Sequence, residues 1–214
     1  MAQKITYCQV KRAGDFVFAL VGLTVLAAPF FLVALIIKLE SDGPAIRRQK
    51  RVGKDGKHFV MYKFRTMTMD APNKAPTEFD PSKFITRFGS ILRVSSFDEL
   101  PQLVNVLRGE MALIGPRPVL PSEKTTNTLR QKHGVHSLRP GITGWAQVNG
   151  RNNLGGADSF EEERFKLDQY YLNHLSLKID CLSVVRTFTT VIVGDGVYME
   201  HAKTTVPVQK NVKK

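Results

Sequence analysis

The longest apolar stretch of the chain, FVFALVGLTVLAAPFFLVALII, runs from residue 16 to residue 37 and contains no charged side chain. A straight helix of this length would measure about 33 Å, and the hydrocarbon core of a bilayer is about 30 Å thick. The stretch is long for the apolar part of a signal peptide, and no small-x-small cleavage site is evident. We therefore predict a retained helix that anchors the chain in a membrane.

The charges on both sides of this stretch bear on its topology. The basic residues before it are Lys4, Lys11 and Arg12, and those after it are Lys38, Arg47, Arg48, Lys50 and Arg51. Because basic residues favour the cytoplasmic side, a single crossing would place one of the two groups on the wrong side. A re-entrant helix, broken in mid-membrane at Ala28 and Pro29, keeps both groups at the cytoplasmic face. A kinked helix that crosses the membrane is the alternative, since proline is tolerated in spanning helices.

The size and charge of the chain limit its organisation and its partners. Its 214 residues suit one domain with an anchor, and its formal net charge of +12 favours a polyanion: nucleic acid, an anionic membrane or a phosphorylated small molecule. Cys8 and Cys181 lack the spacing of a metal site, so we predict free thiols. We divide the chain into a membrane anchor (1–40), a cytoplasmic domain (41–201) and a disordered basic tail (202–214).

The patterns after the apolar stretch predict an α+β fold that is mostly helical. Residues 45–67 are typical of two strands that form a small β-hairpin, joined at Asp55 and Gly56. Residues 70–82 contain three prolines and no periodicity, which predicts a mobile loop.

Three helices are predicted further along the chain. Ser96, followed three residues later by Glu99, is typical of a capping box that begins a helix, and Gly109 ends it. The other two helices cover residues 159–172 and 177–193. The last one is amphipathic, and its apolar face suits either a protein core or a lipid interface.

Two adjacent acids, Asp98 and Glu99, stand in the first turn of the helix that follows Ser96. Carboxylates are common at helix starts, so their position alone does not indicate a function. Several arginines occupy rigid turns further along the chain, and Arg117 lies between two prolines. The cations that we expect to bind phosphate are Lys63, Arg65, Arg117, Arg139 and Arg151.

Carboxylates beside a group of cations suit the attack of an acid on a phosphoryl group. With the ordinary pKa near 3.9, Asp98 would already be ionised at neutral pH, so repulsion between two anions would be the main obstacle. Arginines and a divalent cation reduce this repulsion, and two hard oxygen donors favour Mg²⁺, or Mn²⁺, over zinc. We therefore predict that Asp98 and Glu99 are the metal ligands.

Several motifs of the chain resemble those of one family. They are KRAGDFVFAL, SDGPAIRRQKRVG, YKFRTM, SSFDELPQLVNVLRGEMALIGPRP and RPGITGWAQVNGR. They are similar to motifs of the bacterial sugar transferases, the monotopic phosphoglycosyl transferases that act as polyprenyl-phosphate hexose-1-phosphate transferases. The resemblance extends from about Lys11 to about Val193. It implies transfer of a sugar 1-phosphate from a UDP-sugar to polyprenyl phosphate with release of UMP, as the first membrane step in making capsule, exopolysaccharide or glycoprotein glycans.

The resemblance also implies roles for individual residues. In such enzymes the aspartate of the Asp-Glu pair is the nucleophile of a ping-pong mechanism that requires Mg²⁺. On this chain, Asp98 would form a covalent phospho-sugar intermediate, and Glu99 would assist in metal binding or proton handling. The cations that would hold phosphates are Arg117, Arg93, Lys63, Arg139 and Arg151.

The resemblance further implies a place in the cell and a set of partners. It predicts a re-entrant helix in the bacterial inner membrane, with the catalytic domain on the cytoplasmic face. The expected partners are a UDP-sugar, polyprenyl phosphate, membrane lipids, downstream glycosyl transferases and a possible homodimer, with no nucleic acid. Ala28 departs from the family pattern, because many members have serine before the central proline.

Two other functions are the alternatives. A membrane-tethered basic module would bind without catalysis, but it predicts a long basic stripe with exposed aromatic residues, which the sequence lacks. A glycosyl or nucleotidyl transferase would release UDP or pyrophosphate in place of UMP.

Overall fold

The computed structural model describes residues 2–72, 79–149 and 157–193. The helices are α1 (Ala2–Val25), α2 (Ala27–Glu40), α3 (Arg87–Val94), α4 (Leu103–Arg108), α5 (Lys124–Lys132), α6 (Trp145–Asn149), α7 (Ala157–Asn173) and α8 (Leu177–Val193). The strands are β1 (Ile46–Val52), β2 (His58–Phe64), β3 (Ala112–Ile114) and β4 (Gly141–Thr143). The predicted α+β, mostly helical fold class is confirmed.

The apolar stretch forms the bent pair α1 and α2. No single helix in the described part of the chain is long and apolar enough to cross a membrane, whereas this pair, bent by 62°, has the length and composition of a span. The break is at Leu26, and Pro29 lies in the first turn of α2. Proline has no N–H, and its ring clashes with the carbonyl four residues earlier, that of Val25. The predicted break at Ala28 and Pro29 is therefore corrected to Leu26, one turn upstream.

One face of the bent pair packs against the rest of the protein. Ala19 and Ile37 are buried in two hydrophobic clusters, the first with β2 and α4 and the second with β2 and α3. Phe64 of β2 lies at the centre of an aromatic group, with the Phe30 ring edge-on at 5.2 Å and the Phe97 ring stacked at 6.3 Å. These contacts fix α1 and α2 relative to the hairpin.

The opposite face of the bent pair is an exposed apolar surface. Its members are Val17, Phe18, Val21, Val25, Phe31, Leu32, Leu35 and Leu39. On α8, which has the predicted bounds, the side chains of Leu182, Val185 and Phe188 are also exposed. Of the two alternatives for α8, the structure thus excludes a buried core position for these three residues.

The predicted hairpin is confirmed, with β1 and β2 antiparallel. Its turn contains Asp55 and Gly56, both with left-handed backbone angles. The register pairs Arg51 with Phe59 and Arg47 with Lys63. Because side chains alternate between the two faces of a strand, these residues share one face of the hairpin.

The predicted capping box at Ser96 is wrong. Ser96 has a left-handed backbone, with φ of 56°, and its side chain makes no capping hydrogen bond. A 3-10 helix, Phe97–Gln102, follows and contains Pro101, and α4 begins only after it. Proline cannot donate the backbone hydrogen bond of a regular α-helix, so Pro101 disfavours a continuous α-helix here. Gly109 ends α4 as predicted, with φ of 78°.

The predicted helix at residues 159–172 is confirmed as α7. The side chains at its start lie outside the described residues, so the capping box predicted there is not described. Residues 73–78, Arg151 and the predicted tail also lie outside the described ranges. The division of the chain at residue 40 stays a prediction.

Two proline-containing turns are joined by the short parallel pair β3 and β4. The Gly115 N–H donates to Thr143 O at 2.9 Å, and the Gly141 N–H donates to Pro116 O at 2.9 Å. A Cβ atom on Gly144 would lie 1.9 Å from Gly115 O, so no other residue fits at position 144 without a shift of the backbone. The turn with Arg117 is therefore held by backbone contacts over a long distance in sequence.

Candidate active site

Asp98 lies on the 3-10 helix Phe97–Gln102, which packs against β2. The residue is only 8% exposed. Burial, together with the charge of Glu99, raises the pKa of Asp98 to about 6, although Lys63 and Arg93 lower it. The ordinary pKa assumed from the sequence is thus corrected. At neutral pH the carboxylate is still ionised in most molecules, but it has lost most of its hydration, which favours reaction as a nucleophile.

Glu99 differs from its neighbour because its carboxylate has close partners. Lys63 Nζ lies 2.7 Å from Glu99 Oε1, and Gln102 Nε2 donates to Glu99 Oε2 at 3.2 Å. Burial by itself would raise the pKa of Glu99, but Lys63 and then Arg117 hold it at about 2. Glu99 therefore stays ionised at neutral pH, which favours a role in binding cations over a role in proton transfer.

The hairpin supplies two of the cations beside these acids. Arg51 of β1 and Lys63 of β2 lie on the same face, and both line a narrow cleft together with Met61. Arg51 Nη1 donates to Pro118 O at 3.1 Å, which ties the hairpin to the turn that contains Arg117. Antiparallel pairing thus places these two cations on one face of the hairpin, on either side of the Gln49–Met61 pair.

Arg117 enters the cleft from the opposite wall. Its backbone carbonyl accepts a hydrogen bond from Arg130 Nη1 at 2.7 Å, and Pro116 and Pro118 fix its backbone on either side. Its guanidinium is half-buried and close enough to Glu99 to lower the pKa of that carboxyl group.

The cleft is lined by Arg51, Met61, Lys63, Glu99, Gln102, Arg117, Pro118, Ile142 and Gln147. Its volume of about 10 Å³ is enough for about one water molecule. A nucleotide therefore enters this cleft only when side chains around it move. The arrangement is a narrow polar cleft lined by one acid, Glu99, and three cations, with Asp98 next to Glu99 in the chain.

The structure brings together only part of the predicted set. Glu99, Lys63 and Arg117 line the cleft. Asp98 precedes Glu99 on the same 3-10 helix, and Lys63 and Arg93 are close enough to lower its pKa. Arg93 Nε donates to Thr66 Oγ1 at 2.8 Å, which orients its guanidinium.

The structure does not place Arg65 in the cleft, and its guanidinium binds backbone carbonyls instead, so its predicted phosphate binding stays a prediction. Its Nη2 donates to Ser41 O at 2.6 Å and to Ile37 O at 3.2 Å, and its Nη1 donates to Asp42 O. The side chain is buried and ends α2 by binding the free carbonyls.

Arg139 is also directed away from the cleft. Its Nε donates to Gly109 O at 2.8 Å, at the end of α4. Together with Arg12 and Asp15, it lines a separate cavity of about 580 Å³. The structure therefore does not bring Arg139 together with Asp98.

The sequence analysis missed Arg51, Gln102 and Gln147 as residues of the cleft. Arg51 was noted only as part of the basic group after the apolar stretch. The alternation of side chains along the two strands could have identified it. Arg51 pairs with Phe59, and Phe59 lies on the same face of β2 as Lys63, four residues before it. Gln102, three residues after Glu99, was detectable from helical spacing.

Asp98 and Glu99 fit the predicted divalent cation in part. In the described part of the chain, no group of three or more metal-binding side chains comes together. Mg²⁺ commonly takes one or two protein carboxylates and completes its shell with phosphate and water oxygens. Lys63 pairs with Oε1 of Glu99, and Oε2 accepts one long hydrogen bond from Gln102, so the Asp98 carboxylate and the remaining lone pair of Oε2 are the available oxygen donors. These donors suit Mg²⁺ bound together with a diphosphate.

The chain is similar to known proteins over most of its length. It is 36% identical to the uncharacterized sugar transferase EpsL of Bacillus subtilis over 188 residues, which covers 88% of this chain and 90% of EpsL. It is 42% identical over 195 residues to the UDP-glucose:undecaprenyl-phosphate glucose-1-phosphate transferase of Caulobacter vibrioides, covering 88% of this chain and 72% of that protein.

A third relative is longer than this chain. It is the UDP-N-acetylgalactosamine-undecaprenyl-phosphate N-acetylgalactosaminephosphotransferase of Aeromonas hydrophila, 37% identical over 199 residues. The match covers 89% of this chain but only 45% of that protein. The family profile described as bacterial sugar transferase matches residues 6–194. The motifs around Asp98 and Arg117 predicted this assignment, and the match over nearly the whole chain confirms it: the chain belongs to the bacterial sugar transferase family.

Proposed function

We propose that the protein transfers a sugar 1-phosphate from a UDP-sugar to undecaprenyl phosphate and releases UMP. The observation that carries this proposal is the contrast between two adjacent acids. Asp98 is buried with a raised pKa, whereas Glu99 is held ionised by Lys63 and Arg117. A poorly solvated carboxylate beside fixed cations suits attack on a negatively charged phosphoryl group.

Membership of a transferase family confirms the prediction that the chain is an enzyme of the phosphoglycosyl transferase class. Membership of this family also argues against the alternative function, a membrane-tethered basic module that binds without catalysis. The relatives from Caulobacter vibrioides and Aeromonas hydrophila are named for transfer of a sugar phosphate to undecaprenyl phosphate. These names support the same reaction class here, as the first membrane step of a surface glycan.

In the first step, an oxygen of the Asp98 carboxylate attacks the phosphorus atom that bears the sugar. A bond forms between that oxygen and phosphorus, and the bond to the oxygen that bridges the two phosphates breaks. The bridging oxygen leaves with its electron pair as part of UMP. Lys63, Arg93 and Arg117 offset the negative charge that gathers on the phosphoryl oxygens.

In the second step, a phosphate oxygen of undecaprenyl phosphate attacks the same phosphorus atom. The new diphosphate bond forms as the bond to Asp98 breaks, and the carboxylate is restored. No net proton transfer is needed when the phosphates are ionised, which agrees with a Glu99 that stays charged. Mg²⁺, or Mn²⁺, bound by Asp98, Glu99 and the diphosphate would supply further charge neutralisation.

The exposed apolar surface of α1 and α2 supports a place in the inner membrane. We propose that the bent pair enters the bilayer and returns, so that both ends stay on the cytoplasmic face near the lipid acceptor. The exposed apolar side chains of α8 suit the same interface. A homodimer and downstream glycosyl transferases stay predictions.

The covalent intermediate gives the test of the proposed function. Full-length protein in nanodiscs is mixed with a set of UDP-sugars and Mg²⁺, without acceptor, and the quenched protein is analysed by peptide mass spectrometry. We expect a phospho-sugar adduct on Asp98 with release of UMP. Asp98→Asn should give neither, whereas the control Asp55→Asn, in the exposed turn of the hairpin, should react as the unaltered chain does. Release of UMP without modification of residue 98 would contradict the proposed mechanism.

A further inference from the structure

Beside the cleft, two arginines share a single carboxylate, and a third arginine is close enough to both to lower their pKa. This arginine cluster consists of Arg51, Arg117 and Arg164, and the carboxylate belongs to Glu123. Arg164 Nη1 lies 3.3 Å from Glu123 Oε2, and Arg51 Nη1 lies 3.9 Å from Glu123 Oε1. The Arg51 and Arg164 side chains are only 11% and 14% exposed. One carboxylate is therefore shared by two largely buried guanidinium groups, with the charge of Arg117 nearby.

The hydrogen bonds of the cluster are incomplete. Nε of Arg51 and both Nε and Nη2 of Arg164 are buried without a hydrogen-bond partner among the described residues. Among the described residues, Arg65 also leaves one such atom, its Nε, whereas the cluster leaves three. Each nitrogen atom of Arg130, on the adjacent helix α5, has an acceptor. Its Nε and Nη2 donate to Asp168, and its Nη1 donates to Arg117 O. Unsatisfied buried donors are rare in folded proteins and indicate a missing acceptor.

The charges around the cleft are also unbalanced. Together with Lys63, the arginine cluster provides four cations, and the carboxylates that contact them are those of Glu99 and Glu123, which leaves a net charge of +2. Burial, and then the charge of a neighbouring arginine, lowers the pKa of both Arg51 and Arg164 to about 10. An acceptor with two negative charges would offset this repulsion and bind the free N–H groups.

We propose that the arginine cluster is an anion subsite for the phosphate that leaves with the nucleotide. This inference rests on the proposed function and assigns Arg51 and Arg164 to donor binding. The diphosphate of a nucleotide sugar carries two negative charges, which match the excess positive charge of the cleft. The planar fork of each guanidinium suits two oxygens of one phosphate.

The position of the arginine cluster indicates which of the two phosphates of the UDP-sugar binds there. Arg51, Arg117 and Glu99 line the cleft together, whereas Asp98 is not among the lining residues. The charges that influence Asp98 are those of Lys63, Glu99 and Arg93. The cluster thus lies on the side of Glu99 and not on the side of the nucleophile. The phosphate that Asp98 attacks belongs near Asp98, so the second phosphate, which becomes UMP, belongs at the cluster.

The test compares binding of UMP, uridine and inorganic phosphate to the full-length protein in nanodiscs by calorimetry. We expect the unaltered chain to bind UMP more tightly than uridine, because only UMP carries the phosphate. Arg164→Gln should weaken UMP binding about tenfold or more and leave uridine binding within about twofold. Arg164→Lys, which keeps the charge but loses the fork, should give an intermediate UMP affinity.

Lys166→Gln provides a matched control, because Lys166 is exposed on the same helix and its replacement removes the same charge. It should bind UMP as the unaltered chain does. If Arg164→Gln does not fold, Arg51→Gln takes its place. Independently of any variant, UMP should raise the unfolding temperature of the unaltered chain more than uridine does.

The outcomes separate the subsite from the function. An equal loss of UMP and uridine binding in Arg164→Gln, or no loss of either, would overturn the subsite. Stabilisation by inorganic phosphate to the same extent as by UMP would show a general phosphate site and not one for the nucleotide. If the unaltered chain forms the Asp98 adduct while these variants keep full UMP affinity, only the subsite fails. If no UDP-sugar yields an adduct, the proposed function fails.

Discussion

Lys63 Nζ lies 2.7 Å from Glu99 Oε1, and this ion pair joins the end of β2 to the segment that carries Asp98. Both side chains are largely buried, at 20% and 23% exposure. The pair keeps Glu99 ionised and places one positive charge close to the Asp98 carboxylate. The charge of Lys63 thus lowers the pKa of both acids in the candidate site.

The first prediction concerns the titration of Asp98. Without metal, in EDTA, the carboxyl group should titrate with a midpoint near pH 6, because burial disfavours its ionised form. As the pH falls through 6, the protonated acid replaces the nucleophilic carboxylate. The measurement is infrared difference spectroscopy, with the Asp98→Asn spectrum subtracted. Added Mg²⁺ should move the midpoint to lower pH, because a cation favours the carboxylate. A midpoint near pH 4 without metal would contradict the buried environment.

The second prediction concerns Lys63→Met. Lys63 lowers the pKa of Asp98, so its loss should move the midpoint of the same titration above pH 6. The initial rate of adduct formation at pH 7 should fall, since fewer molecules carry the ionised carboxylate. Lys57→Met, in the exposed part of the hairpin, removes the same charge and should leave the titration of Asp98 unchanged. An unchanged midpoint in Lys63→Met would show that the ion pair does not act on Asp98.

The third prediction separates the stability role of Arg65 from phosphate binding. Arg65→Gln should lower the free energy of unfolding by about 2 to 3 kcal/mol, because it removes charged donors from the carbonyls that end α2. The UMP affinity of the folded fraction should not change. Denaturation and calorimetry measure the two effects. A large loss of UMP affinity with unchanged stability would return Arg65 to the phosphate-binding set.

The fourth prediction concerns the close backbone contact at Gly144. Gly144→Ala should lower the free energy of unfolding by roughly 1 to 3 kcal/mol, because the added Cβ would meet Gly115 O. It should also slow adduct formation, since Gly115 belongs to the turn that positions Arg117. Gly14→Ala is the control, because its Cβ would meet no atom within 4 Å. Equal behaviour of the two variants would contradict the packing of these turns.

The fifth prediction concerns the topology of the bent pair. In a Cys8→Ser, Cys181→Ser background, a cysteine introduced by Ala2→Cys should react with an impermeant reagent in inverted vesicles and not in spheroplasts. Pro29→Ala should make the residue reactive in part of the spheroplast population, because a straight helix favours crossing. Reaction of Ala2→Cys in spheroplasts when Pro29 is intact would show a spanning helix.

Local patterns predicted the elements that depend on neighbouring residues. The hairpin turn at Asp55 and Gly56, the end of α4 at Gly109 and the bounds of α8 all follow from residue preferences within a few positions. The same reasoning failed at Ser96, where a common capping pattern gave a left-handed residue and a 3-10 helix. Pro101, within that segment, indicates that a regular α-helix does not begin at Ser96, and the capping pattern takes no account of it.

Side-chain partners were harder to predict, because they depend on distant parts of the chain. Arg65 and Arg139 have the sequence context of anion-binding residues, yet both bind backbone carbonyls at helix ends. Arg51 had no motif of its own, yet the hairpin register places it on the same face as Lys63, and both line the cleft. An arginine satisfies carbonyls and phosphates with the same N–H groups, so its sequence context alone does not decide between them.

By itself, the sequence determined the family, the long apolar stretch and the identity of the acid pair, because these rest on composition and on contiguous motifs. Only the tertiary structure decided that Leu26 is the break, that Lys63 pairs with Glu99 and that Arg164 joins Arg51 around Glu123. The pKa difference between Asp98 and Glu99 has the same origin. Burial and the approach of distant charges set it, and neither is a property of two adjacent residues in a sequence.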